Sequence, residues 1–312
     1  MTRVLGLDLG GTNVKTALVE VPASGATAGA EVVATAMHPT HAERGAAAVV
    51  DRLAELALVT IEEHGPVAAM GLGIPGLFDR RAGTAVLIPN LPGPWEGRAL
   101  RDPIERAIGV PVHLINDARA FTLAEAVLGA GRGCSTMIGV TLGTGVGGGV
   151  FIDGEVRLGA FGTAGEISHQ IVEPDGPVCG CGNRGCAEAL TRADVLAAAA
   201  GRASAEEVYA AAAQGDRRCE EAIARAADYL GIAIANAVVL IGPERVVIGG
   251  GIAASGEAVI GPIRAALARR SVIVPPGAVE VVAAELGTLA GAIGAALAAV
   301  TELPGPEPRS GA

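Results

Sequence analysis

VLGLDLGGTNVKTALVE, from Val4 to Glu20, and MIGVTLGTGVGGGVFID, from Met137 to Asp153, are two versions of one pattern. Gly6 aligns with Gly139, Leu9 with Leu142 and Gly10 with Gly143. Each copy is a short apolar run, a glycine turn and a second apolar run, which reads as strand, turn and strand. A duplicated element of this kind suggests two related halves facing one cleft. In the first copy, Gly10, Gly11 and Thr12 form a turn whose backbone N–H groups can meet a phosphate, because glycine allows close approach. A plain β-turn is the competing reading.

The second copy has a rival. Gly143, Gly145 and Gly148 also satisfy the spacing of a dinucleotide-binding fingerprint, which must open a helix. The chain continues instead with Val150-Phe151-Ile152, then Asp153-Gly154, then Glu155 to Leu158. Asp-Gly between apolar runs is a hairpin signal, so the context is strand and the dinucleotide reading fails. No G-x4-G-K-[ST] loop occurs either.

A second stretch, GEISHQIVEPDGPVCGCGNRGCAE from Gly165 to Glu188, carries different chemistry. It holds Cys179, Cys181 and Cys186, with His169 ten residues before the first cysteine. Three thiolates and an imidazole complete a tetrahedral zinc ion and leave no open position, which is a structural site. Neighbouring free thiols or a disulfide are the alternatives; a disulfide needs an oxidising compartment. Glu166 and Glu188 bracket the cluster. Zinc would fix the His169 tautomer and leave one ring N–H as a donor between those two acceptors. A ligand rich in hydroxyl groups, such as a sugar, suits that arrangement.

Composition narrows the class. The 312 residues exceed one ordinary domain and suggest two. Half the chain is hydrophobic but only 2% is aromatic, so the core must be aliphatic and sugar-stacking platforms are scarce. A net charge of −10 argues against nucleic acid or an anionic membrane as partner. Lys15 is the only lysine. The longest uncharged apolar run, Leu286 to Val300, has 15 residues, whereas a membrane span needs about 20. With no signal-peptide pattern at Met1 to Gly6, the expectation is a cytoplasmic protein whose thiols stay reduced.

The intervening chain alternates strand and helix. Helices are predicted near Ala42–Glu63, Gly97–Ile108 and Ala118–Leu128. Strands are predicted at Val67–Ile74 and Val112–Ile115. Asn116-Asp117 sits at a strand's carboxyl end, where α/β sheets bind ligands; the pair also reads as a helix cap. The loop Ile88–Trp95 is stiffened by prolines, with Trp95 as its plug. Ser204 and Glu207 form a capping box, and Asp216–Ile241 a long helix. Gly249-Gly250-Gly251 ends a strand from Arg245, as a tight turn or a close approach to a base. Leu303–Ala312 reads as a frayed tail.

Two resemblances rest on these residues. Strand, glycine turn and strand in duplicate resembles the actin-like ATPase and sugar kinase superfamily. G-E-I-x-H followed by C-G-C-G-x-x-G-C-x-E is similar to the signature of the ROK family of bacterial sugar kinases and sugar-responsive repressors. The resemblance implies an α/β, two-domain actin-like ATPase/sugar kinase (ribonuclease H-like) fold with a cleft between the domains. The smaller domain would be 1–118 plus 290–312, and the larger, zinc-bearing one 119–289. It implies ATP-dependent transfer to a hexose, glucose first, with fructose, mannose and N-acetylhexosamines as alternatives and polyphosphate as another possible donor. Asp117 would be the general base. Asn90, Asn116, Glu166, His169 and Glu188 would hold hydroxyls, and Asp8 would sit by Mg²⁺. Gly10, Gly11, Thr12, Gly143, Thr144 and Gly145 would cradle phosphates, with Gly249, Gly250 and Gly251 bordering adenosine. Family members are commonly dimers or tetramers, so a homo-oligomer is expected. The family's repressors carry a DNA-binding segment ahead of the D-L-G-G-T turn, which begins here at Asp8, so a kinase is expected over a regulator. A mechanical actin-like ATPase does not account for the cysteines. Ser168 departs from the usual glycine, and serine tolerates positive φ less well.

Overall fold

The computed structural model describes residues 1–89, 91–275 and 277–300. Asn90 and the 303–312 tail lie outside the described residues. In chain order the first elements are β1 (Thr2–Leu9), β2 (Asn13–Val21), β3 (Glu31–Pro39), α1 (Ala46–His64), β4 (Ala69–Ile74), β5 (Leu77–Asp79), β6 (Thr84–Leu87), α2 (Arg101–Ile108), β7 (Val112–Asn116) and α3 (Asp117–Val127). Next come β8 (Thr136–Leu142), β9 (Val146–Ile152), β10 (Glu155–Val156), α4 (Ala187–Thr191), α5 (Ala193–Ala200), α6 (Ala205–Ala212) and α7 (Arg217–Ile241). The last are β11 (Arg245–Gly249), α8 (Glu257–Ala268), β12 (Glu280–Ala283) and α9 (Ala290–Val300).

The chain divides into two compact units, Met1–Leu128 joined by the chain from Leu289 onward, and Gly129–Thr288. The first limit falls beyond the expected 118 because α3 belongs wholly to the first unit. Its Ala120 lies directly against Gly294 of α9, where a Cβ would collide with the Ala120 carbonyl.

The first unit is a five-stranded sheet in the order β3-β2-β1-β4-β7. β1 and β2 pair antiparallel from Thr2↔Val21 to Leu9↔Val14, while β4 and β7 run parallel to β1. Side chains alternate across the pleat. Leu5, Leu7 and Leu9 join a core with Val49 and Leu53 of α1 and Ile104 of α2. Gly6 and Gly71 face α9, so closely that a Cβ on either would overlap its backbone. Gly6 is thus glycine because a helix crosses it.

The second unit repeats the plan. Its sheet runs β10-β9-β8-β11-β12, with β8–β9 an antiparallel hairpin and β11 parallel to both β8 and β12. Strand for strand this is the order and sense of the first sheet, which is what the duplicated sequence predicts. Asp153 and Gly154 take φ of 53° and 87°, the left-handed pair of a two-residue hairpin turn. α7 and α8 cover this sheet, with Gly231 of one against Ala266 of the other. α7 is long and apolar enough to cross a membrane by length and composition alone, and 56% of the qualifying window is buried in the fold.

Several boundaries differ from expectation. The first long helix begins at Ala46 rather than Ala42, because Gly45 takes φ 88° and separates it from a short 3-10 turn. The helix expected from Gly97 begins at Arg101. The small β5–β6 ribbon has no counterpart among the predicted elements; three- and four-residue strands are too short to show a period.

Candidate active site

In the first unit, the β1–β2 turn is closed by Gly10 N–H donating to Asn13 O at 3.0 Å. The fully buried Thr40 braces it from behind: its hydroxyl donates to Gly10 O at 2.7 Å and its N–H to Thr12 O at 2.9 Å. Gly11 and Thr12 form the exposed tip. Asp8, the penultimate residue of β1, is 7% exposed and pairs with Lys15 Nζ at 3.1 Å. A Cβ on Gly291, in the first turn of α9, would stand 2.7 Å from that carboxylate. Asp8 therefore lies beside the first turn of α9. In the sequence Lys15 stands out only as a composition oddity; its alternation onto the Asp8 side of the hairpin is the signal that marks it.

Asn116 and Asp117 stand where β7 passes into α3. Asn116 Oδ1 accepts from Ala118 N–H at 3.0 Å and Arg119 N–H at 3.3 Å, so it does cap the helix. It also accepts from the Arg119 guanidinium at 2.9 Å, and its amide donates to Gly76 O at 3.3 Å. Arg119 is only 2% exposed, a buried cation that no sequence pattern singles out. Asp117 Oδ1 accepts from Ala118 N–H at 2.8 Å. Capping and ligand binding are compatible, since the cap fixes the direction in which the neighbouring Asp117 leaves the strand. Trp95 is 4% exposed in the first unit's core and donates to Leu91 O at 3.2 Å, as a loop plug does.

In the second unit, the β8–β9 turn closes with Gly143 N–H donating to Gly145 O at 2.9 Å. Nothing lies within 4 Å of a Cβ built on Gly143, while Thr144 is exposed at the tip. Gly250 takes φ 90°, and a Cβ there would strike the Leu142 backbone. That glycine serves a tight turn packed against the neighbouring strand. Gly249 completes β11, and Gly251, with open space about it, leads into a short 3-10 turn.

The ligand atoms of His169, Cys179, Cys181 and Cys186 all lie within 4.8 Å of one another. Cys181 and Cys186 sulfurs are 3.7 Å apart, and Cys179 Sγ is 3.7 Å from His169 Nδ1. A tetrahedron with Zn–S bonds of about 2.3 Å has edges of about 3.8 Å, so the donor set fits zinc. The frame is a tight loop: Cys179 N–H donates to Asn183 O at 2.7 Å and Gly182 N–H to Cys179 O at 3.0 Å. Tyr229 of α7 donates to Glu173 Oε2 at 2.6 Å and Gln170 to Ala233 O at 3.0 Å, docking the loop on that helix. Burial pushes the Cys179 and Cys186 thiols up, Cys186 to about 12, with the neighbouring thiols adding to it. Burial also opposes ionisation of Cys181, but hydrogen bonds from the Asn183 backbone and the other two thiols outweigh it and pull that thiol down.

The carboxylates divide differently from expectation. His169 Nε2 faces Glu166 Oε2 at 3.7 Å, longer than a direct hydrogen bond. Glu188 Oε2 lies on the other side of the ring, 3.9 Å from Nδ1 and 3.5 Å from Cys179 Sγ. With Nδ1 turned toward Cys179, Nε2 is the ring nitrogen offered to Glu166, and Glu188 borders the cluster itself. The sequence places both carboxylates beside the cluster, and only the fold separates their positions.

The sequence profile of the ROK family matches residues 4–302. The glucokinase of Thermotoga maritima is 37% identical, over 94% of this chain and 96% of its own length. A ROK hexokinase structure from Thermus thermophilus superposes with a TM-score of 0.82 at 36% identity, covering 96% of this chain and 99% of that one. A ROK family glucokinase structure from Streptomyces griseus, in complex with glucose and AMPPNP, gives 0.78 at 31% identity with the same coverage.

Proposed function

The chain belongs to the ROK family and has the actin-like ATPase and sugar kinase fold, and from that premise we propose that it transfers the γ-phosphoryl group of ATP to O6 of a hexose, with glucose preferred. The observation that carries this reading is near-complete, 37% identical coverage by a glucokinase. The zinc-fitting cluster with Glu166 and Glu188 beside it agrees with a polyhydroxyl ligand.

Asp117 accepts the proton of the attacking hydroxyl, leaving an alkoxide-like oxygen to attack the γ-phosphorus while the bond to the β-phosphate oxygen breaks. General base catalysis of this kind contributes about 10²- to 10⁴-fold. Asn116 offers its amide N–H to the sugar, because its oxygen is occupied by the α3 cap and Arg119. A hydroxyl between His169 Nε2–H and Glu166 accepts from one and donates to the other, which suits their 3.7 Å separation. Glu188 is a further hydroxyl acceptor, and Asn90 belongs to the same proposal. The turns Gly10, Gly11, Thr12 and Gly143, Thr144, Gly145 cradle phosphates, Gly10 and Gly143 by closing the turns and the other four by their backbone N–H groups, with Gly249, Gly250 and Gly251 toward the adenosine. Asp8 would sit by Mg²⁺ through water, since that ion commonly keeps several of its waters, and the ion, when bound, would neutralise phosphate charge. Zinc, when bound, orders the His169 loop. Reduced thiols fit a cytoplasmic setting, and an assembly of two or four copies is part of the proposal.

The test is phosphoryl transfer from Mg-ATP to glucose, mannose, fructose, N-acetylglucosamine and N-acetylmannosamine. Glucose is expected to lead in kcat/KM. Another sugar in front keeps the mechanism and changes the substrate. No transfer to any of them by folded, zinc-loaded protein overturns the kinase reading in favour of a sugar-responsive regulator.

A further inference from the structure

Glu188 touches two structures at once. Its Oε1 accepts from Val146 N–H at 3.3 Å, and a Cβ added at Gly145 would stand 2.8 Å from that oxygen. Its Oε2 borders the cysteine cluster, 3.5 Å from Cys179 Sγ. The residue rides in the first turn of α4, whose N-cap is the zinc-site Cys186. The strand-like pairing of Cys186 with Ile171, and Ala187 N–H donating to Gln170 O at 3.0 Å, tie that turn to the His169 segment. A second tether runs in parallel: Ala193 N–H, at the start of α5, donates to Gly143 O at 3.2 Å. The β8–β9 turn is thus gripped on both limbs by the strap that leaves the zinc loop. A side chain at Gly145 would displace the Glu188 carboxylate from this position.

We propose that Glu188 is a positioning residue for the phosphoryl donor as well as a sugar contact: it carries the order of the zinc loop into the Gly143–Val146 turn, so that the loop governs nucleotide affinity. This rests on the kinase reading above. A turn with two glycines in three residues has much conformational freedom to lose. Holding it before the nucleotide arrives removes that cost from binding. Coupling of this kind is reciprocal, so whatever factor zinc contributes to nucleotide affinity, nucleotide returns to zinc affinity.

The experiment compares Glu188→Ala and Glu188→Gln with the unaltered protein, each first checked for a native circular dichroism spectrum. Glutamine keeps an acceptor for Val146 N–H, whereas alanine removes it. Without ligands, Val146 N–H in Glu188→Ala should exchange with deuterium at least about tenfold faster, and in Glu188→Gln at about the unaltered rate. AMP-PNP affinity measured by calorimetry without sugar should fall about fivefold or more in Glu188→Ala and stay near the unaltered value in Glu188→Gln, while both variants lose glucose affinity. Chelating zinc should weaken AMP-PNP binding, and saturating AMP-PNP should tighten zinc by the same factor in competition with a chromogenic chelator. Unchanged Val146 exchange, or unchanged AMP-PNP affinity alongside lost glucose affinity, overturns the inference and leaves Glu188 as a sugar contact alone. Unaltered protein that binds neither AMP-PNP nor any hexose overturns the kinase reading, and the exchange data then still report whether the strap holds the turn.

Discussion

The Ser168 hydroxyl is buried, with no hydrogen-bond partner among the described residues, immediately before the His169 imidazole. Its backbone lies in a short 3-10 turn and not at positive φ, so the concern about serine replacing glycine does not arise. The cost is instead an orphaned polar group, typically about 1–3 kcal/mol. Ser168→Ala should therefore raise the thermal midpoint, by about 2–4 °C for each kcal/mol recovered in a protein of this size. A midpoint that falls would mean the hydroxyl has a partner in solution. Asp117 makes the opposite kind of case. Asn116 carries the α3 cap, so Asp117→Asn should leave the fold and glucose affinity nearly intact. Turnover should drop about 10²- to 10⁴-fold. Steady-state kinetics beside calorimetry of glucose would separate the two, and wild-type turnover would remove Asp117 from the base role.

At the scale of elements, two pieces are held by different physics. The 165–188 loop has little regular structure and three cysteines at its centre. Cys181 is the exposed one, so Cys181→Ser removes one donor of the zinc-fitting cluster at small packing cost. Zinc content by atomic absorption should fall well below one per chain, and glucose affinity with it, because metal binding supplies local folding energy. Retention of both would end the zinc assignment. Helix α9 depends on packing alone. It is apolar all round and rests on Gly6 and Gly71 of the sheet and on Ala120 of α3. Gly6→Ala must displace the α9 backbone, and overpacking of this kind costs about 1–3 kcal/mol or more. Denaturant titration should show the loss at an unchanged m-value; an unaltered midpoint would mean that α9 sits farther from β1.

For the molecule as a whole, ligands that bind only the folded state raise its stability by mass action. At a hundred times its Kd, a sugar contributes about 2.7 kcal/mol. Glucose should thus lift the thermal midpoint by several degrees, and the order of shifts across the hexose panel should follow the order of kcat/KM. Equal shifts for all the sugars would mean that discrimination is made in the transition state and not in binding. The net charge of −10 bears on solubility and on repulsion of anionic polymers, and carries no part of the fold.

Local patterns were legible in the chain by itself. The two strand–turn–strand copies, the cysteine spacing, Asn116-Asp117 at a strand end and the long helix before Ile241 all depend on neighbours in sequence. Short-range sterics, hydrogen-bond capping and ligand spacing constrain such features strongly. Tertiary structure decided the rest, because it depends on which distant groups meet. Gly6 is glycine on account of α9, nearly the whole chain away. Asp8 is paired with Lys15 and crowded by Gly291. Glu166 and Glu188, both expected beside the cluster, fall on opposite nitrogens of His169, and Glu188 reaches the glycine turn 42 residues before it. No periodicity encodes those meetings, since they arise from how helices and loops close over the two sheets.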